Sequence, residues 1–181
     1  MKRAMRTMLC IFVLVTITGC YSPVVFSART YDGKIVDADT GEPIEGVVAL
    51  CIWKKESVLW PTDTVDKFCD ARENVTNKDG DFVIEGTNII IFKAGYEYLA
   101  TSYEGLKEDI GLRDRIKWKG SKAIIPLKKL TMEERKKQGT PYGPPSEAPF
   151  NKVKLFLKEI NKDRKARGLK PLTLWGGVRY E

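Results

Sequence analysis

Histidine is missing from all 181 residues. That removes Ser-His-Asp and Cys-His catalysis and every histidine-containing zinc site from the chemistry open to this chain. Membrane-spanning runs are missing too: the apolar stretch from Leu9 to Ile17 is too short for a stable transmembrane helix. Acids are absent from Met1 to Met8, which carries only the bases Lys2, Arg3 and Arg6. No internal repeat is visible.

What is present begins at that N-terminus. A basic start and a short apolar core end at Ile17-Thr18-Gly19-Cys20, a branched residue, a small one, Gly and then Cys. The pattern resembles the lipobox of bacterial prolipoproteins. The resemblance implies diacylglyceryl transfer to the Cys20 thiol and cleavage before it, so that residues 1–19 are a signal peptide and Cys20 is the lipidated first residue of the mature protein. Residues 20–30, with one Pro and no helical period, read as a tether that holds the domain off a membrane. A lipid-anchored protein of the bacterial cell envelope is therefore expected. Tyr21 is not the Asp that retains many enterobacterial lipoproteins in the inner membrane, which points to the outer membrane in a diderm host.

Charge is unevenly distributed along the chain. The net +7 includes three bases of the signal; residues 20–127 hold 14 bases and 18 acids, and residues 128–170 hold 13 bases and 5 acids. An acidic body carries a basic tail. Of the four cysteines, Cys10 leaves with the signal and Cys20 takes lipid. Cys51 and Cys69 remain as one candidate disulfide, allowed in an exported protein.

Short strands with turn signals at close spacing predict an antiparallel sandwich over residues 31–128. Gly33 to Asp37 is a short β-run, Asp39-Thr-Gly-Glu-Pro43 a turn, and Ile44 to Trp53 a longer apolar strand. A loop spans Lys54 to Arg72. Asn77-Lys-Asp-Gly80 is a tight hairpin, and Ile89 to Phe92 reads as a strand buried on both faces. Residues 97–114 hold one strand and a short helix, and Gly120-Ser121 joins a last hairpin in which Pro126 marks an edge strand. The wording from Gly33 to Val47, from Thr76 to Ile84 and from Phe92 to Tyr96 resembles the carboxypeptidase regulatory-like family. That resemblance implies a mainly β fold, a seven-stranded antiparallel prealbumin-like sandwich, with an accessory role and no catalytic residue to carry over.

Beyond the sandwich, residues 129–149 contain a short helix, with Thr131 as N-cap and Glu134 in capping-box position, and a Pro-rich linker. Residues 150–181 form a basic amphipathic helix and tail, with Gly168 ending the helix. Val153, Phe156, Leu157 and Ile160 make a narrow apolar stripe, a candidate interaction surface, and docking of that stripe on its own sandwich is expected.

Candidate sites are few. Asp37, Asp39, Glu42, Asp79 and Asp81 converge near the Gly95-Tyr96 corner if strands alternate in direction. Four of them, Asp37, Asp39, Asp79 and Asp81, form a weak calcium candidate, because turns use Asp and Gly in any case and no bidentate Glu follows. No cofactor is expected. Trp53, Trp60, Phe68, Tyr103 and Trp118 offer faces for sugars or protein contacts, but ordinary core and loop anchors are the favoured reading. The Asn74-Val-Thr76 sequon reads as chance. Nucleic acid is not an expected partner of an exported chain whose bases lie on one tail. A membrane reached through the N-terminal lipid, and an envelope protein or anionic glycan or lipid, are. The expected role is a non-catalytic binding or structural module. A carbohydrate-binding accessory module is the alternative, and a small glycan-active enzyme, which needs a cleft with two close carboxylates, a third.

Overall fold

The computed structural model describes residues 28–59, 63–141, 147–172, 174–175 and 178–179. Its strands are β1 (Arg29–Asp37), β2 (Val48–Leu59), β3 (Asp63–Val75), β4 (Asp81–Gly86), β5 (Asn88–Phe92), β6 (Leu99–Ser102), β7 (Lys117–Lys119) and β8 (Lys122–Leu127). Two short helices, α1 (Tyr103–Glu108) and α2 (Ile110–Arg113), follow β6, and α3 (Met132–Gln138) and α4 (Lys154–Ala166) follow β8. Leu174–Trp175 and Val178–Arg179 pair as a small antiparallel ribbon.

The first sheet has the order β4-β1-β8-β7 and the second the order β3-β2-β5-β6. The molecule is mainly β, sandwich-like, with few short helices and a C-terminal helix. In the first sheet apolar residues alternate with polar ones. Tyr31 and Ile35 of β1, Phe82 and Ile84 of β4, and Ala123, Ile125 and Leu127 of β8 all turn to the space between the sheets. There they meet Ala49 and Cys51 of β2, Ile89 and Ile91 of β5, and Leu99 of β6. Gly33 has no room for a side chain, since a Cβ would lie 2.5 Å from the Phe82 ring.

The second sheet is apolar on its other face as well. Val48, Leu50, Ile52, Ile90 and Phe92 form a second core with Val153, Phe156, Leu157 and Ile160 of the C-terminal segment. Phe92 and Phe156 meet edge to face, with ring centroids 6.0 Å apart. Thus α4 is a third layer. Glu73 of β3 receives the backbone N–H groups of Leu155 (3.0 Å) and Phe156 (2.6 Å), serving the helix start that lacks a capping side chain of its own. Glu159 accepts from Ala94 N, and Lys152 pairs with Asp70 at 2.6 Å.

At the other end of α4, Asp163 is buried between two arginines. Arg135 of α3 donates to it through Nε at 2.9 Å, and Arg167 pairs with it at 2.7 Å. Arg167 also reaches Thr140 Oγ1, so α3 and the first residues of the Pro-rich segment are fastened to α4. The capping box of Thr131 and Glu134 is present, and Glu134 also pairs with Lys128. That lysine, then the Thr131 N–H and hydroxyl, bring the Glu134 carboxyl down to about 2. Gly168 ends the helix with φ 74°.

Several elements differ from expectation. The two sheets contain eight strands rather than seven, and β1 pairs parallel to β8. After β6 the chain returns through α1, α2 and a hairpin, and this long connection lets β8 enter beside β1 in the same direction, which a tight turn cannot do. β8 is an interior strand, not an edge. Pro126 is tolerated there because β7 covers only Lys122 to Ile124, so no ladder bond is missing at Pro126. Lys54 to Arg72 is not a loop: β2 and β3 pair from Val48↔Val75 to Leu59↔Asp63, with a bulge after Trp53. In turn, β2 begins at Val48, four residues later than the apolar run.

Candidate functional site

The acidic turns do meet at one end of the sandwich. Thr76 joins them: its buried hydroxyl donates to Ile44 O (2.7 Å) and accepts from Val47 N (2.9 Å), and Gly80 O accepts from Ile35 N. A Cβ on Gly80 would strike Ile35 O at 2.4 Å, so the hairpin turn is seated directly on β1. The sequon residues are both structural, Thr76 in this way and Asn74 through its amide, which donates to Val83 O on the β4 edge.

The carboxylates themselves are spent separately. Asp37 accepts from the backbone N–H groups of Asp39 and Thr40 and from the Tyr96 hydroxyl, and those bonds, the Asp39 N–H first, hold its carboxyl below the usual carboxylate range. A general acid needs the opposite shift. Asp81 pairs with Lys122 at 2.9 Å, which raises the lysine. Asp39, Glu42 and Asp79 stand exposed on the turns. Among the described residues, no group of three or more acids or cysteines stands close enough to share a metal ion.

Cys51 and Cys69 are not bonded to each other, contrary to the expected disulfide. Cys51 lies opposite Arg72, three positions along β3 from Cys69, roughly 10 Å away at strand spacing and beyond disulfide reach. Cys51 is wholly buried against Gly86, and burial pushes its thiol up, whereas Cys69 is exposed. Cys20 lies outside the described residues, as does Trp60, and nothing is described of the Tyr103 side chain. Trp118 packs on the inter-sheet core beneath Lys107, Trp53 lies under Arg72, and Phe68 packs on the second core. These three aromatics are anchors. Val153, Phe156, Leu157 and Ile160 are buried beneath α4 and present no surface to a partner.

The feature that sequence reasoning missed is the outer face of the first sheet. Lys34 and Val36 of β1, Lys122, Ile124 and Pro126 of β8, and Lys117 and Lys119 of β7 line an open groove of ≈ 770 Å³, with Asp37, Asp81 and Arg115 on its rim. Register explains the assembly. Asp81, Lys34, Ile124 and Lys117 stand side by side across four strands, and Lys119 faces Lys122. Arg115 pairs with Glu97 and also reaches Pro126 O. Lys34, Lys117 and Lys119 have no acid within ion-pair distance among the described residues. The groove is thus an apolar floor of Val36, Ile124 and Pro126 lined by more cations than acids, Lys34, Arg115, Lys117, Lys119 and Lys122 against Asp37 and Asp81. Its sequence signal was the i, i+2 spacing of Lys117 and Lys119 beside a strand with Lys34 on its polar side, masked by a body whose overall charge is acidic.

Comparison with known proteins adds a distant likeness. No family model and no curated protein matches the chain. Among solved structures, 3-chlorocatechol 1,2-dioxygenase from Rhodococcus opacus 1CP is similar at 16% identity with a TM-score of 0.35, over 57% of this chain and 61% of that one.

Proposed function

We propose that this chain is a lipid-anchored protein of the bacterial cell envelope whose sandwich, a prealbumin-like domain of the carboxypeptidase regulatory-like kind, is a non-catalytic binding module. The observation that carries the reading is the open cationic groove on the first sheet, beside a second sheet whose outer face is closed by α4. Lys34 lies away from the sheet edge, so protection of that edge does not account for it, and yet it faces the same apolar floor as Lys117 and Lys119. The lipid anchor rests on the Lys2, Arg3 and Arg6 start and the Gly19-Cys20 boundary. An outer-membrane site follows from Tyr21 in a diderm host. The three family-like motifs fall on β1 and its turn, the β3–β4 hairpin and the end of β5.

Two measurements in the native envelope test it. Fatty-acid labelling is expected for the wild type and lost in Cys20→Ser; a variant that still takes label and sediments with membranes overturns the anchor. Photo-crosslinkers at Lys119 and at Lys158 report on opposite sides of the molecule. Crosslinks to envelope components from Lys119 and few from Lys158 are expected, and none from Lys119 overturns the binding module.

A further inference from the structure

Resting on that reading, we infer that the groove on the first sheet binds an acidic polysaccharide, a chain carrying carboxylates and hydroxyls together. Three features select this class. First, the cations without an ion-pair partner are spread over the sheet, Lys34 and Lys117 in one row across the strands and Lys119 two residues further along β7, instead of sharing one position. An extended polymer with repeated charges satisfies them, while a single phosphate meets one at a time. Second, the floor of Val36, Ile124 and Pro126 is shallow and aliphatic, which suits the flat C–H faces of sugar rings and offers no slot for a base or an aromatic side chain to stack. Third, carboxylates stand within the same groove. Asp81 sits beside Lys34 in register and pairs with Lys122, and Asp37 lies at the rim. An ionised phosphodiester, in a lipid headgroup or a nucleic-acid backbone, has no proton to donate to these acids. A glycan hydroxyl donates to them while its carboxylate meets the lysines.

Lysines on an edge strand have another use, to discourage pairing with a second copy. β7 is such an edge. Lys34 is not on it, and stands across β8 from β7 facing the same groove.

The test is binding of the full chain, held in neutral detergent, to polygalacturonate, with dextran as the uncharged control. Affinity that falls with salt is expected for polygalacturonate and absent for dextran. The variant Lys34→Ala/Lys117→Ala/Lys119→Ala is expected to bind roughly tenfold or more weakly. The variant Lys154→Ala/Lys158→Ala/Lys162→Ala removes the same charge from the exposed face of α4 and is expected to bind as the wild type. Equal loss in both variants, no binding of polygalacturonate, or unchanged affinity in the groove variant accompanied by self-association each overturns the inference. So does equally tight, groove-dependent binding of single-stranded DNA or of vesicles of anionic phospholipid, since either shows that the groove reads charge alone. Failure here with retained crosslinks from Lys119 overturns the polysaccharide and leaves the anchored binding module standing.

Discussion

On the outer face of the second sheet stand Val48, Leu50, Ile52, Ile90 and Phe92; on the outer face of the first stand Lys34, Lys117, Lys119 and Lys122 around Val36 and Ile124. Both faces belong to four-stranded sheets that share one inter-sheet core. The first of these faces cannot be left in water, and α4 with its flanking residues covers it. The second needs no cover and receives none from the described residues. Burial therefore assigns the C-terminal segment to stability and leaves the outer face of the first sheet open. Basic residues of the tail follow the same division. Lys154, Lys158 and Lys162 point away from the sheet on a helix whose other side is core, whereas the lysines of the first sheet enclose a groove.

The contrast is sharpest in core truncations. Phe156→Ala removes a wholly buried ring between α4 and the second sheet and is expected to cost roughly 3–5 kcal/mol in denaturant unfolding. Val83→Ala, on the open face and 56% exposed, should change stability by less than about 0.5 kcal/mol. Comparable losses in the two would mean that the open face is covered in solution. Next in size is Asp163→Ala, which leaves Arg135 and Arg167 buried without their shared carboxylate, for a loss of about 3 kcal/mol. Limited proteolysis of this variant should release α3 and the Pro-rich segment before the sandwich is cut. Simultaneous cleavage of both would show that the tail is not a separate layer.

Glu73→Ala tests the other end of α4. Two backbone N–H groups lose their acceptor while the cost of burying a carboxylate disappears, and a net loss of about 1 kcal/mol in melting experiments is expected. The smallest effect is read against pH. Glu134 is held at about 2 when folded, below its ordinary 4.5. Its contribution is therefore present above about pH 4.5 and lost as pH falls toward 2. The Tm difference between wild type and Glu134→Gln should be constant at neutral pH and vanish across that interval; a difference that persists at pH 2 would show that the carboxylate is not its source.

Much of this architecture is legible in the residues. Thr131 and Glu134 three apart, Gly168 after the apolar stripe, and Asn77-Lys-Asp-Gly80 between two β-runs each dictate a local backbone that any packing must respect. The unbroken apolar run Ile89 to Phe92, beside the equally unbroken Val48 to Ile52, demands cover on both faces and so a layer beyond the sandwich. What misled was the reading of Lys54 to Arg72 as a loop. That stretch lacks clean alternation, and its strand character comes from pairing along the whole β2–β3 ribbon, a long-range property. The disulfide between Cys51 and Cys69 failed for the same reason. Assigning Cys10 to the signal and Cys20 to lipid left these two as the candidate pair, but register put Cys51 opposite Arg72 and into the core.

The candidate site was less legible than the fold. Lys34 is more than eighty residues from Lys117, and only the parallel pairing of β1 with β8 brings their strands within one β8 width of each other. Net charge pointed elsewhere because it sums a whole segment, while a surface groove depends on which side of each strand a residue faces.

By itself the sequence determined the helix ends at Thr131 and Gly168, the Asn77 to Gly80 hairpin, the exclusion of histidine chemistry, and the presence of a helix that must bury Val153, Phe156, Leu157 and Ile160, because these follow from local sterics and periodicity. Tertiary structure alone decided that the stripe is buried on the second sheet, that β8 runs parallel to β1, and that lysines far apart in the chain line one groove. Those facts depend on strand register and on which faces are covered, and both are set by contacts between residues distant in sequence.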